Sequence, residues 1–315
     1  MSQLEVLTIG ESMVSFRAAG ALTLGGTLTS HLAGAESNVA IGLARLGHAA
    51  AWVGRVGADE FGALVLRELR AEGVDVSHAV RDETLTTGLM FLEQRTADVT
   101  RVDYRRAGSA GSALTLEDVR AAVDRRPSLL HLTGITPALS ETAAAATLWA
   151  AETCAASGAV VSLDVNYRAR LWARGTARST LAGLVEHATL LLVSEDELDL
   201  VADGDTEAGA VQVLLDRGVE QVVVTRGALG ASAWGADGRV DAPAVPVPVV
   251  DVIGAGDAFT AGYLSALLDG EPVAERLLRG TVLGAFAVSG SGDWENLPRR
   301  DELDLINHQP GSALR

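Results

Sequence analysis

The sequence contains no lysine; all 25 of its basic residues are arginine. That absence removes several kinds of chemistry at once. A Schiff-base aldolase or a pyridoxal-phosphate enzyme needs a lysine amine. A P-loop needs the lysine that reaches its phosphates, and a protein kinase needs its strand lysine. Cysteine is nearly absent too. The single Cys154 can form neither an intramolecular disulfide nor a thiolate zinc cluster, and its alanine-rich helical surroundings read as those of a small core residue. The six histidines are scattered without ligand spacing and read as surface or core residues. No apolar run approaches the ~18 residues of a membrane span. The chain opens on a strand-like LEVLTIG without a basic leader or a cleavage pattern, so a cytoplasmic protein away from membranes is expected.

Positive charge is scarce as well. Acidic residues number 41 against 25 basic, a net charge of -16, which would repel a nucleic-acid duplex. What is abundant is apolar sequence. Hydrophobic residues make up 48% of the 315 positions and charged residues 21%, enough for a sizeable core and incompatible with wholesale disorder. The length suits one large domain with a small attachment, or two modest domains.

Short apolar runs alternate with helix-like stretches. The runs are 4–10, 49–57, 128–134, 159–165, 189–194 and 221–227; helical patterns lie at 38–46, 60–72, 139–157 and 206–217. Near-continuous apolar strands separated by helices indicate an α/β fold with a doubly wound, mainly parallel sheet covered on both faces. Two segments, about 13–33 and 86–108, break the rhythm. In the second, Val102, Tyr104 and Arg106 share one face while Arg101, Asp103 and Arg105 share the other. These segments are either two surface hairpins or a small strand-built lid over a site on the main sheet. There is no internal repeat, linker or second-domain boundary.

Four segments carry candidate chemistry. In VPVPVVDVIGAGDAFTAGYLSALL, an extended run meets a glycine turn that opens an amphipathic helix with Phe259, Gly262, Tyr263, Ala266 and Leu267 on one face. Such a turn presents free N–H groups and the positive helix end to an anion. Asp257 beside it is either an ordinary first-turn acid or a general base for an attacking hydroxyl. In AGAESNVAIGLARLG, Ser37 or Asn38 reads as a helix cap. SLDVNYR starts in a strand and ends in a polar cluster beyond its carboxyl end, where ligands of parallel sheets bind. Its Arg168 is either a structural ion-pair residue or a bidentate reader of a carboxylate. VVVTRGALGASAW is a strand, a glycine turn and a second strand.

Taken together and in order, these segments resemble the PfkB, ribokinase-like carbohydrate kinases. AGAESNVAIGLARLG matches the family's first signature and DVIGAGDAFTAGYL its second, and the likeness runs from TIGES to GSGDWENLP. Within the family the chain most resembles the 2-keto-3-deoxygluconate kinases, through YRRAGSAGSAL, HLTGITPALS, SLDVNYRARLW and GSGD. The resemblance implies one kinase domain over 1–310 with a short tail at 311–315, and a strand lid that also serves as an oligomer interface. It implies ATP and Mg2+, with a monovalent cation as a further candidate, and phosphorylation of a primary hydroxyl to give the 6-phosphate. Carried over by position, Asp257 is the catalytic base, and the N–H groups of Gly254, Ala255, Gly256 and Asp257 form the anion hole. Gly34, Asn38, Tyr104, Arg106, Asn166, Arg168, Asp257 and Asp293 face the substrate. Thr225, Gly227, Gly230 and Ala231 form the ATP turn, joined by Ser194, Gly254 and Gly256, and Glu197 lies near the metal and phosphates. Arg106 and Arg168 would give an acidic protein the local positive charge an anionic sugar acid requires. Val252, Arg105, Met90 and Thr225 depart from residues common at those positions in the family.

Three other readings compete. One is a family kinase of fructose or ribose, and another a kinase of 2-keto-3-deoxygalactonate. The third is a catalytically silent sugar- or nucleotide-binding regulator, against which the intact GAGD turn argues.

Overall fold

A computed structural model describes residues 4–96 and 99–307; the tail expected at 311–315 lies outside the described residues. The strands are β1 (Val6–Ile9), β2 (Met13–Ala18), β3 (Thr29–Ala33), β4 (Ala50–Val53), β5 (Arg55–Gly57), β6 (Val80–Asp82), β7 (Leu89–Thr96), β8 (Val99–Arg105), β9 (Leu129–Thr133), β10 (Val160–Asp164), β11 (Leu190–Ser194), β12 (Gln221–Thr225), β13 (Ala231–Gly235) and β14 (Gly238–Ala242). The α-helices are α1 (Ala35–Arg45), α2 (Glu60–Ala71), α3 (Leu116–Val123), α4 (Glu141–Ala156), α5 (Arg174–Val185), α6 (Glu207–Asp216), α7 (Ala255–Leu268) and α8 (Val273–Val288).

The main sheet has the order β14-β13-β12-β11-β10-β9-β1-β4. The six strands from β12 to β4 are parallel, and β13 and β14 extend them antiparallel. Alternate residues of each strand point to opposite faces. Leu7, Ile9, Leu130, Leu132 and Leu163 pack with α3, α4, α5 and α6. Val6, Trp52, Leu129, Leu190 and Val223 pack with α1, α2, α7 and α8. The sheet is therefore doubly wound, as its apolar runs indicate. Its strand order reverses between β1 and β9, and a crevice opens at that point outside the carboxyl ends.

The two segments that break the rhythm supply a second sheet, β3-β2-β7-β8. One face, built from Met13, Ala33, Met90 and Leu92 with Val102 and Tyr104, packs on Ile253 beside the main sheet. On the other face Phe16 stacks on Phe91 at 5.3 Å and meets Phe61 of α2 edge-on at 5.6 Å. The alternation in β8 is as read: Arg101 and Arg105 are 71% and 69% exposed, while Val102 and Tyr104 face inward.

Three local expectations are corrected. The run 49–57 is two strands, not one, and β5 leaves the main sheet to pair with β6. The break is at Gly54, where a Cβ would stand 2.2 Å from the Gly10 carbonyl, so the crossing backbones leave no room for a side chain. Helix α1 begins at Ala35 with Gly34 as its cap residue and no side-chain cap. Ser37 instead donates back to the Gly34 carbonyl, and Asn38 is left free for another use. Helix α7 is not amphipathic: every residue from Asp257 to Ala266 is buried, because α1 and α8 pack against it as well as the sheet.

Candidate active site

The carboxyl ends of β10 and β11, the start of α7 and the inner face of the small sheet converge on one cleft. It has a larger lobe of about 460 Å³ and a smaller one of about 100 Å³, which share Met90, Tyr104, Arg168, Ile253, Gly254 and Asp257.

The start of α7 dictates glycine at position 254. Its φ is 78°, and a Cβ there would lie 2.0 Å from the Asp293 carbonyl oxygen. That left-handed residue turns the chain into the helix with its first N–H groups outward. The N–H groups of Gly254, Gly256 and Asp257 have no partner among the described residues, whereas that of Ala255 makes a long turn bond of 3.4 Å to Val252. The expected four-donor anion hole is thus three open donors and one weakly engaged one.

Asp257, in the first turn, is buried. Its Oδ2 accepts a 2.8 Å bond from Nδ2 of Asn38 on α1, the use for which that side chain is free. Burial pushes the Asp257 carboxyl above its usual range, opposed by Asn38, Arg168 and Asn166. Asn166, just past β10, has φ 40°, a left-handed conformation that asparagine tolerates better than most residues. Its amide donates to Asp164 at 3.3 Å. The Asp164 carboxyl is pushed well up by burial, then by the charges of Glu197 and Asp257. The Oδ1 atoms of Asn38 and Asn166 are buried acceptors with no partner among the described residues, and so can accept from hydroxyl donors entering the cleft.

The two arginines expected to meet an anion differ. Arg168 is exposed at the cleft wall, and its guanidinium has no hydrogen bond or ion pair among the described residues. Arg106 lines the smaller lobe but is spent on Glu11: its Nε donates to Oε2 at 2.7 Å, and both side chains are buried. Among the described residues, the expectation of two free cations on the cleft is therefore corrected to one. Tyr104, Gly34 and Asp293 line the smaller lobe, with the Arg106 guanidinium 5.5 Å from the Tyr104 ring centre.

This arrangement has counterparts. The profile of the "pfkB family carbohydrate kinase" matches residues 3–300. The chain belongs to the PfkB family of carbohydrate kinases. It is 36% identical over 307 residues to the 2-dehydro-3-deoxygluconokinase of Bacillus subtilis, covering 96% of this chain and 94% of that one. It is 33% identical to the 2-dehydro-3-deoxygalactonokinase of Haloferax volcanii, over 92% of both chains. Identity to Fructokinase-1 of Oryza sativa is likewise 33%, over 86% of both. Among solved structures, an E. coli protein described as a Ribokinase II, in complex with ATP and Mg2+, superposes with a TM-score of 0.91 at 26% identity, covering 96% of this chain and 99% of that one. The protein is an ATP-dependent sugar kinase with the ribokinase-like fold.

Of the residues expected to meet ATP or its metal, Ser194, Thr225 and Glu197 line the larger lobe; Gly227, Gly230 and Ala231 do not. Ala231 is buried in β13, paired with Thr225. Gly230 packs on β14, where a Cβ would stand 2.1 Å from the Ala242 carbonyl. Gly230 thus has a packing reason of its own. Glu197 accepts from the Tyr167 N–H at 2.6 Å and the Ser194 N–H at 3.1 Å. No group of three or more acidic, histidine or cysteine side chains able to hold a metal occurs among the described residues. Mg2+ keeps several waters and takes phosphate oxygens as ligands. The carboxylates of Asp164, Glu197 and Asp257 around the larger lobe fit an ion that arrives with ATP rather than one caged by protein.

Five residues in or beside the cleft escape sequence reasoning. Glu36 is fully buried behind the cleft, held by Thr133 at 2.7 Å and Thr136 at 2.6 Å, and burial raises its carboxyl to about 7. Glu36 and Asp164 sit inside the quoted motifs without a distinguishing signal. Glu11, Arg17 and Asp251 acquire their partners only in three dimensions.

Proposed function

We propose that the protein transfers the γ-phosphoryl group of ATP to the primary hydroxyl of 2-keto-3-deoxygluconate, giving the 6-phosphate. The observation that carries the choice of acid is Arg168. Its guanidinium has no side-chain hydrogen bond or ion pair among the described residues, the other arginine on the cleft, Arg106, is paired, and the Arg168 fork suits a substrate carboxylate. A neutral sugar has no use for it.

Asp257 takes the hydroxyl proton as the oxygen attacks the γ-phosphorus; the P–O bond to ADP breaks and its electron pair leaves with ADP. Asn38 holds the Asp257 carboxylate by Oδ2, leaving Oδ1 for the proton. The open N–H groups of Gly254, Gly256 and Asp257 face the charge that grows on the transferring group. Mg2+, bound with ATP, supplies charge neutralisation on the phosphates. The small sheet acts as the lid, with Tyr104 and Met90 over the sugar and water excluded beneath. Its edge strands β3 and β8 have no strand on their outer sides among the described residues, and exposed Leu28 and Val99 lie beside or on them. Those edges support pairing with a second copy.

The test is ADP release with MgATP against 2-keto-3-deoxygluconate, 2-keto-3-deoxygalactonate, gluconate, fructose and ribose, with Asp257→Asn in parallel. The expected result is a strong preference for a keto-deoxy acid and near-complete loss of turnover in the variant. Preferred turnover of fructose or ribose would overturn the acid assignment, and an active Asp257→Asn enzyme would overturn the base.

A further inference from the structure

Arg17 belongs to none of the sequence motifs and lines neither lobe of the cleft. It lies on β2 in register with Leu92 of β7, on the face of the small sheet that carries Met13 and turns toward the cleft. Its Nη1 donates to Oδ2 of Asp251, and its Nη2 donates to Oδ1 of Asp293 at 2.6 Å. The three side chains are only 14%, 13% and 5% exposed. Both residues flank Gly254. The other oxygen of Asp251 accepts the Ile253 N–H at 3.1 Å, one residue before the glycine. The Asp293 carbonyl backs the glycine, 2.0 Å from the point where a Cβ would stand. One guanidinium thus ties together the segment that leads into Gly254, the segment behind it and a strand of the lid.

We propose that Arg17 is a positioning residue for phosphoryl transfer. Through Asp251 and Asp293 it sets the direction of the N–H groups of Gly254, Gly256 and Asp257. The proposal rests on reading those groups as the seat of the transferring phosphoryl. Two buried carboxylates on neighbouring segments repel unless a cation lies between them, and the planar fork of arginine bonds both at once. Without it, one carboxylate takes up a proton or the segments separate. An anion hole works by preorganisation, so a small displacement weakens the transition state more than the ground state.

The experiment uses the full-length protein with Arg17→Ala and Arg17→Lys. In Arg17→Ala, kcat falls about 10²-fold while KM for ATP and sugar stays within about threefold. Arg17→Lys, which reaches only one carboxylate, is intermediate. Millimolar guanidinium restores part of the alanine variant's kcat and leaves the wild type unchanged. Amide hydrogen exchange without sugar shows residues 252–257 exchanging faster in the alanine variant, with β9, β10 and β11 unchanged.

A folded alanine variant with wild-type kcat overturns the proposal. So does a loss that guanidinium does not restore and that the lysine variant shares in full, which marks a general packing role. If the alanine variant does not fold, the lysine variant decides: reduced kcat at an unchanged melting temperature supports positioning, and wild-type kcat with wild-type exchange overturns it. If the wild type turns over no sugar in the panel, the substrate assignment fails separately. Exchange then reads the proposal alone: faster exchange confined to 252–257 supports it, and no difference overturns it.

Discussion

Arg168 and Arg106 stand on the same cleft, yet their surroundings give them opposite parts. Arg106 is buried against Glu11 and is neutralised before any substrate arrives. Arg168 is exposed, and its field reaches Asp164 and Asp257 without a direct bond to either. A charge-assisted bond to a substrate carboxylate is worth about 1.5–3 kcal/mol. Arg168→Ala should therefore raise KM for the sugar acid about 10- to 100-fold while KM for ATP moves less than about threefold. Steady-state kinetics with each substrate varied in turn checks this. Equal rises in both constants would show that Arg168 does not read the acid.

Gly254 shows how an element's first residue can set a site. Helix α7 can begin where it does only because position 254 takes φ 78° and lets the Asp293 carbonyl approach. Gly254→Ala must strain the backbone or push the Asp293 segment away, at a cost of about 1–3 kcal/mol. The expected result is a lower Tm together with a kcat loss larger than the stability change explains, since the N–H groups re-aim. Unchanged Tm and kcat would mean the turn is not constrained as described. The GAGD turn and the parallel strands were legible in the sequence because each rests on local chemistry: glycine at a positive φ, and apolar runs buried on both faces. The start of α1 and the break at Gly54 were not legible, because they depend on backbones crossing from distant parts of the chain. The same holds for the Arg106–Glu11 pair, whose partners are 95 residues apart. Arg17 is the extreme case, with partners 234 and 276 residues away.

At the scale of the whole molecule, a net charge of -16 coexists with buried carboxyls gathered around one cleft. Burial raises Glu36 and Asp293 to about 7, and raises Asp164 and Asp257 as well. Elsewhere, carboxyls are held down. Burial pushes Asp59, Asp75 and Asp269 up, but it is outweighed by the Thr87 and Gly62 bonds to Asp59, by Arg125 on Asp75 and by Arg300 and Arg279 on Asp269. The two sets act in opposite directions. The lowered group stabilises the fold above its unfolded pKa, and that contribution is lost as pH falls. The raised group stabilises the fold below its unfolded pKa, and that contribution is lost as pH rises through about 7. Stability should therefore peak near about pH 5 and decline through neutrality. Catalysis runs the other way, since Asp257 must be ionised to accept a proton. Glu36→Gln separates the two trends. The amide oxygen still accepts from Thr133 and Thr136, but the titration is gone. Thermal melts from pH 5 to 8 should show a smaller decline in Tm for the variant, corresponding to about 3 kcal/mol for the one carboxyl. Parallel declines in variant and wild type would show that Glu36 does not bear the cost of ionisation, and that the loss of stability toward neutrality arises from the other raised carboxyls or from general charge repulsion.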